Sequence, residues 1–207
     1  MLLGIDEAGR GPVLGPLVMA GAMIDDEKKL ENLGIKDSKL LLPHKRQEIY
    51  QKLIKLVKYK IIILQPEEID AALKSQNLNL NWLEANTSAK IINELKPKQA
   101  IIDCPSNNVE SYHNYLKKIV KTKTELILEH KAESHLIVAA ASILAKVTRD
   151  KEIEKIKKKI KIDFGSGYMT DEKTVAFLKE HHQNHPKLFR KTWASYKKVF
   201  QKDLSEF

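Results

Sequence analysis

A single cysteine, Cys104, in a chain of 207 residues leaves no intramolecular disulfide and no cysteine-based zinc site. Apolar runs are short, as in Ile61-Ile62-Ile63-Leu64, and none is long enough to span a bilayer. The opening Met1-Leu2-Leu3-Gly4-Ile5 passes straight into Asp6-Glu7 without a basic leader, so it does not read as a signal peptide. The expectation from these absences is a reducing, cytoplasmic setting and no membrane. Neither a phosphate-binding P-loop nor a dinucleotide fingerprint is present, which removes the support for a nucleotide-binding enzyme of another class. No internal repeat, low-complexity linker or domain boundary shows, so the expectation is a single domain over 1–207, with about 171–207 as a helical C-terminal extension.

Hydrophobic residues make up 43% of the chain, enough to bury a core and to exclude a disordered reading. Basic residues number 36 against 27 acids, a net charge of +9, and only four of the 36 are arginine. A lysine-rich surface suits a polyanion, nucleic acid or an anionic membrane, although solubility alone accounts for it almost as well.

Apolar patterning predicts strands at Leu2–Ile5, Val13–Ile24, Tyr59–Leu64, Ala100–Ile102 and Thr124–Leu128. Helical patterns fall at Glu67–Lys74, Asn79–Leu95, Asn108–Val120, Ser134–Ile160, Asp171–His182 and Pro186–Val199. In the longest of these, Ile153, Ile156 and Ile160 form one stripe while the lysines face water. Early strands followed by strands alternating with helices indicate an α/β sheet with helices packed on it.

The acids sit where chemistry could use them. Asp6-Glu7 closes the first apolar run and Asp103 closes Ala100-Ile101-Ile102. Neighbouring strand residues point to opposite faces, so for Asp6 and Glu7 to serve one site the strand must end between them. The following Ala8-Gly9-Arg10-Gly11-Pro12 permits such a turn. Glu133 or Glu129 could add a fourth carboxylate near the start of the long helix. Converging carboxylates repel one another unless cations neutralise them, and oxygen ligands suit magnesium or manganese. A pair of such ions roughly 4 Å apart suits in-line displacement at phosphorus. Taken singly, each acid is better explained as a strand-end cap or a turn start; together, in a basic protein, the two readings balance. Gly9-Arg10-Gly11 could offer backbone amides to a phosphate or hydroxyl oxygen, or be an ordinary tight turn.

The nine residues Gly4-Ile5-Asp6-Glu7-Ala8-Gly9-Arg10-Gly11-Pro12 resemble the N-terminal signature of type 2 ribonuclease H, the ribonuclease HII family. Lys36-Asp37-Ser38-Lys39, Ile102-Asp103, the segment Ala140 to Asp150 and Gly165-Ser166-Gly167-Tyr168 resemble further family segments in the same order, with a weaker match at Thr192-Trp193. The resemblance implies a ribonuclease H-like fold: a mixed five-stranded sheet flanked by helices. It implies a monomeric endonuclease that hydrolyses the RNA strand of RNA–DNA hybrids. It also implies incision 5′ of ribonucleotides embedded in duplex DNA, leaving 5′-phosphate and 3′-hydroxyl ends, with two Mg2+ or Mn2+ ions. By resemblance, Asp6, Glu7, Asp103 and Glu133 are its metal ligands, Glu133 standing where the family usually has aspartate. The Gly9, Arg10 and Gly11 backbone resembles the element that contacts the 2′-hydroxyl. Tyr168 resembles the tyrosine that stacks on the sugar 3′ of the ribonucleotide, and Lys39, Arg46 and Lys146 resemble phosphate contacts. A non-catalytic duplex binder, weakened through Glu133, is the competing reading.

Two further motifs are weaker. His181-His182-x-x-His185 reads as a solvated helix end rather than a zinc site. Gln201, Leu204 and Phe207 fit Q-x-x-L-x-x-F, which resembles the sliding-clamp-binding tail of archaeal and eukaryotic replication proteins; a frayed terminus explains it equally.

Overall fold

The computed structural model describes residues 1–35, 41–75 and 77–201, the side chain of residue 201 excepted. Its five strands are β1 (Leu2–Ala8), β2 (Leu17–Ile24), β3 (Lys58–Leu64), β4 (Gln99–Asp103) and β5 (Glu125–Glu129). They form one sheet in the order β3-β2-β1-β4-β5. β1 pairs antiparallel with β2 and parallel with β4, and β4 pairs parallel with β5, so the sheet is mixed as expected. The helices are α1 (Pro43–Leu56), α2 (Pro66–Lys74), α3 (Leu80–Leu95), α4 (Val109–Ile119), α5 (Leu136–Ile160), α6 (Glu172–His181) and α7 (Ala194–Gln201).

The chain divides into two compact units. The first comprises Met1–Ala8, Val18–Ile63 and Asn81–Thr148. Strand alternation sorts its core into two layers. Val18, Ala20, Ala22 and Ile24 of β2 pack with Ile101 of β4, with α1 and with the apolar first half of α5. Leu3 and Ile5 of β1, Met19 and Met23 of β2, and Ala100 and Ile102 of β4 pack on the other face with residues of α3 and α4. In α5, Ile137 to Ala141 and Ile143 to Ala145 are wholly buried, as an all-round apolar helix must be. A Cβ added to Gly4 would lie 2.6 Å from the Val138 amide nitrogen, so only glycine lets α5 come this close to β1.

The second unit comprises Gly9–Leu17, Leu64–Leu80 and Arg149–Phe207. Its core gathers Val13, Leu14, Ile153, Phe164, Phe177, Leu178 and Phe189, with Ile156 and Ile160 of the stripe packed against it.

Several expectations are corrected. The run Val13–Ile24 is strand only from Leu17: Gly15 has φ +85° and is followed by Pro16, which interrupts the pairing. Leu14 instead forms an isolated bridge to Phe189. Patterning assigns no element to 43–56, where α1 forms; Pro43 opens it and buries only Ile49 and Leu53 on an otherwise polar surface. The span Pro186–Val199 is not one helix. A 3-10 turn at Pro186–Leu188 and α7 are separated by a segment that gives its backbone to other partners. Nor does β1 end between Asp6 and Glu7: its pairing continues through Glu7↔Met19 and Ala8↔Val18.

Candidate active site

The last fully paired position of β1 and β4 is Ile5↔Ile102, so Asp6 and Asp103 are the next pair outward. Both lie on the α5 side by alternation, Asp6 with Gly4 and Asp103 with Ile101. The Ala132 amide donates to Asp103 Oδ1 at 3.2 Å, which fastens the 3-10 turn Ala132–Ser134, and with it Glu133, to the end of β4. The same loop is pinned by the Cys104 amide to the Glu129 carbonyl (2.8 Å) and by His130 Nδ1 against the Cys104 carbonyl (3.0 Å). Asp6, Asp103 and Glu133 thus bring one carboxylate oxygen each within 4.8 Å of one another. Among the described residues, Glu7 and Glu129 stay outside this trio. Glu7 falls on the opposite pleat, where its charge helps to raise the ionisation of Cys104 and Tyr112. Glu129 is held by His135 at 2.9 Å.

Asp6 is 5% exposed, and its carboxyl is pushed up to about 6. Burial is the largest cause, and the charges of Asp103 and Glu133 add to it; hydrogen bonds from Ser142 and the Glu7 amide pull the other way. The Glu7 amide donates to Asp6 Oδ1 at 2.7 Å. Ser142 is fully buried on α5 and also accepts from Lys146 Nζ at 3.1 Å. An anionic trio with a carboxyl this reluctant to ionise fits a hard divalent cation, which would remove the repulsion.

In the second unit, the Gly9 to Gly11 turn and Tyr168 come together. Gly9 has φ +84°, and a Cβ there would run into the Arg149 side chain and lie 2.8 Å from the Pro16 carbonyl. A Cβ on Gly11 would be 3.6 Å from the Tyr168 ring. The Tyr168 loop is held by Val13 and Leu14 amides on the Gly167 carbonyl (3.0 and 3.3 Å). Arg149, 7% exposed, reaches the Ser166 carbonyl through Nη2 at 3.2 Å and lies 5.4 Å from the centroid of the Tyr168 ring. Tyr168 itself is 38% exposed, as a ligand-stacking ring would be.

Of the other sequence-predicted residues, Lys39, Leu204 and Phe207 lie outside the described residues, as does the Gln201 side chain. Arg46, on α1, donates to the Leu41 carbonyl at 2.8 Å. The histidines do not form a wet helix end: His181 and His185 pack on Phe177, and His182 on Phe200. Sequence reasoning missed Ser142, Arg149 and Arg190 as contributors. For the first two the signal was their place within the family-like Ala140 to Asp150 segment; Arg190 carried none.

Comparison with known proteins gives one consistent finding. The family described as Ribonuclease HII matches residues 3–196. The chain is 46% identical over 208 residues to a Ribonuclease HII of Thermococcus sibiricus, covering 96% of this chain and 91% of that protein. Its fold superposes with a TM-score of 0.87 on the ribonuclease H2 of Pyrococcus horikoshii OT3, at 38% identity and 97% coverage of both chains. It also superposes with a TM-score of 0.82 on a chain from the PCNA:RNase HII complex of Archaeoglobus fulgidus, at 40% identity, covering 89% of this chain and 88% of the other.

Proposed function

This chain belongs to the ribonuclease HII family, and is a type 2 ribonuclease H; from that premise we propose that it cuts the RNA strand of RNA–DNA hybrids and incises 5′ of ribonucleotides embedded in duplex DNA. The products are a 5′-phosphate and a 3′-hydroxyl. The observation that carries the chemistry is the convergence of Asp6, Asp103 and Glu133 at the ends of adjacent elements. These residues would hold divalent cations, Mg2+ or Mn2+. When bound, a pair of such ions supplies the charge neutralisation that in-line displacement at phosphorus requires.

The chain's own part is to prepare and orient. Ser142 fixes the Asp6 carboxylate through a hydrogen bond that favours its ionised form. The Ala132 amide fixes Asp103. Glutamate at position 133 is one methylene longer than the usual aspartate, and the pinned 3-10 turn is what brings it into the trio. Glu7 is proposed as a fourth acid on the motif resemblance alone. Gly9, Arg10 and Gly11 present backbone to the 2′-hydroxyl, and Tyr168 stacks on the following sugar. Lys39, Arg46 and Lys146 are proposed to hold phosphates, positioning the duplex without reading sequence.

We place both units within one monomeric catalytic domain over 1–207, with 171–207 as its helical extension. The Archaeoglobus relative's complex with PCNA supports a clamp-binding role for Gln201, Leu204 and Phe207. The recognition half is tested by Tyr168→Ala. Its expected effect is to lower incision at single embedded ribonucleotides about tenfold more than cutting of continuous hybrid, a difference of about 1.4 kcal/mol in barrier. An unchanged ratio of the two activities removes that role.

A further inference from the structure

Arg190 is fully buried, and its guanidinium is spent on backbone carbonyls of one loop. Nη2 donates to Gly9 O at 2.6 Å and to Gly15 O at 3.0 Å. Nη1 donates to Arg10 O at 2.9 Å, and Nε to Gly15 O at 3.1 Å. Trp193, 4.9 Å from the Arg190 guanidinium at its ring centroid, donates its indole N–H to Gly11 O at 3.3 Å. The carbonyls of Gly9, Arg10 and Gly11 are therefore all drawn toward one short segment near the C-terminus.

That segment is itself anchored. Buried Asp70 accepts from the Lys191 amide (2.8 Å), the Thr192 amide (3.0 Å) and the Thr192 hydroxyl (2.6 Å). The Arg190 amide donates to Val13 O at 2.8 Å.

The consequence follows from peptide geometry. In a planar trans peptide the carbonyl of one residue and the N–H of the next point in opposite directions. Directing Gly9 O and Arg10 O at Arg190 therefore directs the Arg10 and Gly11 amides away from it. Pro12 has no amide N–H, so the peptide after Gly11 adds no competing donor. Five donors in a rigid fork can hold three carbonyls at once; a lysine ammonium on its flexible stem cannot do so with the same orientation.

We propose that Arg190, with Trp193 and anchored by Asp70, is the positioning device that aims the Arg10 and Gly11 amides at the ribonucleotide's 2′-hydroxyl. Arg190 never meets substrate; it sets the preference for ribose through the loop. The inference rests on the reading of Gly9 to Gly11 as the 2′-hydroxyl contact.

The test measures binding of the full chain, in chelator, to duplex DNA carrying one ribonucleotide and to the same duplex without it, for wild type, Arg190→Lys and Trp193→Phe. Both variants are expected to lose about three- to tenfold of the wild-type preference for the ribonucleotide, the worth of a misaimed hydrogen bond. Affinity for the all-DNA duplex should stay within about twofold, and in steady state the loss should appear in KM rather than kcat. Should Arg190→Lys fail to fold, Trp193→Phe, which keeps the aromatic ring, decides alone. Full preference in a folded Trp193→Phe overturns the proposal, as does a loss of all-DNA affinity equal to the loss of ribonucleotide affinity, which marks a merely structural role. Absence of any preference in wild type overturns the 2′-hydroxyl reading itself.

Discussion

Burial lifts the Asp6 carboxyl to about 6, and the hydrogen bond from Ser142 is the strongest force acting against that rise. Removing it by Ser142→Ala takes away a bond to a charged acceptor worth about 1.5–3 kcal/mol. The Asp6 ionisation should then climb by about one to two further units. Asp103 and Glu133 face the same group and reinforce the shift; Lys146, the cation bonded to Ser142, is carried on the same helix. The pH at which divalent metal begins to support turnover should rise by a similar amount, measured as the midpoint of activity against pH at fixed Mg2+. An unmoved midpoint would show that Ser142 does not govern Asp6. At this scale Asp6 and Asp103 were legible because each closes an apolar run, a one-dimensional signal, whereas Glu133 was singled out by the family resemblance. Ser142 and Arg190 were not, because their partners are 136 and 181 residues away along the chain. The reading has β1 stop between Asp6 and Glu7 so that both acids serve one site. The strand keeps its pairing, and alternation sends Glu7 to the other face.

Among elements, the contact between β1 and α5 decides whether the acids and Ser142 meet. At Gly4 the two elements come close, and any side chain there pushes against the α5 backbone at Ile137 and Val138. Gly4→Ala is expected to cost about 1–3 kcal/mol of stability as overpacking and to lower the thermal midpoint by several degrees. Turnover should fall further than the unfolded fraction explains, because α5 carries Ser142. A thermal midpoint and turnover equal to wild type would contradict the close-packing argument. Most elements were legible from periodicity, including β4, β5, α3 and α4 to within a residue or two at either end. The misses have physical causes. α1 buries only two residues and so shows little apolar rhythm. Residues 13–16 are apolar yet irregular, because Gly15 and Pro16 cannot continue the ladder and the buried side chains serve the second unit's core instead. The break before α7 follows from Phe189 bridging to Leu14 and residues 190–192 bonding to distant partners.

For the whole molecule, ionisation of Asp6 ties folding to metal. Its folded value lies above the ordinary 3.8, so the stability this group contributes is present below about 4 and is lost as pH rises through about 6. A divalent cation held at the proposed site would bind the ionised trio and reverse the loss. Saturating Mg2+ or Mn2+ at a hundredfold over the dissociation constant should add about 2.7 kcal/mol at pH 8. At pH 5 the cation must displace a proton, so the thermal shift there should be much smaller. A shift of equal size at both pH values would contradict the assignment of Asp6 to the metal. The net charge of +9 agrees with a nucleic-acid substrate but never singled one out; the resemblance of Gly4 to Pro12 and the later segments to the ribonuclease HII family did.

The most direct measurement incubates the full chain with duplex DNA bearing one ribonucleotide, and with an all-DNA control, and maps every cut to the nucleotide. The account predicts one metal-dependent incision on the 5′ side of the ribonucleotide, absent in chelator. Asp103→Asn should slow it by more than about a hundredfold while still binding the duplex, since a metal ligand is weakened as charge repulsion toward DNA is relieved. Duplex binding without incision by the wild-type chain in either Mg2+ or Mn2+, or full incision by Asp103→Asn, would contradict it.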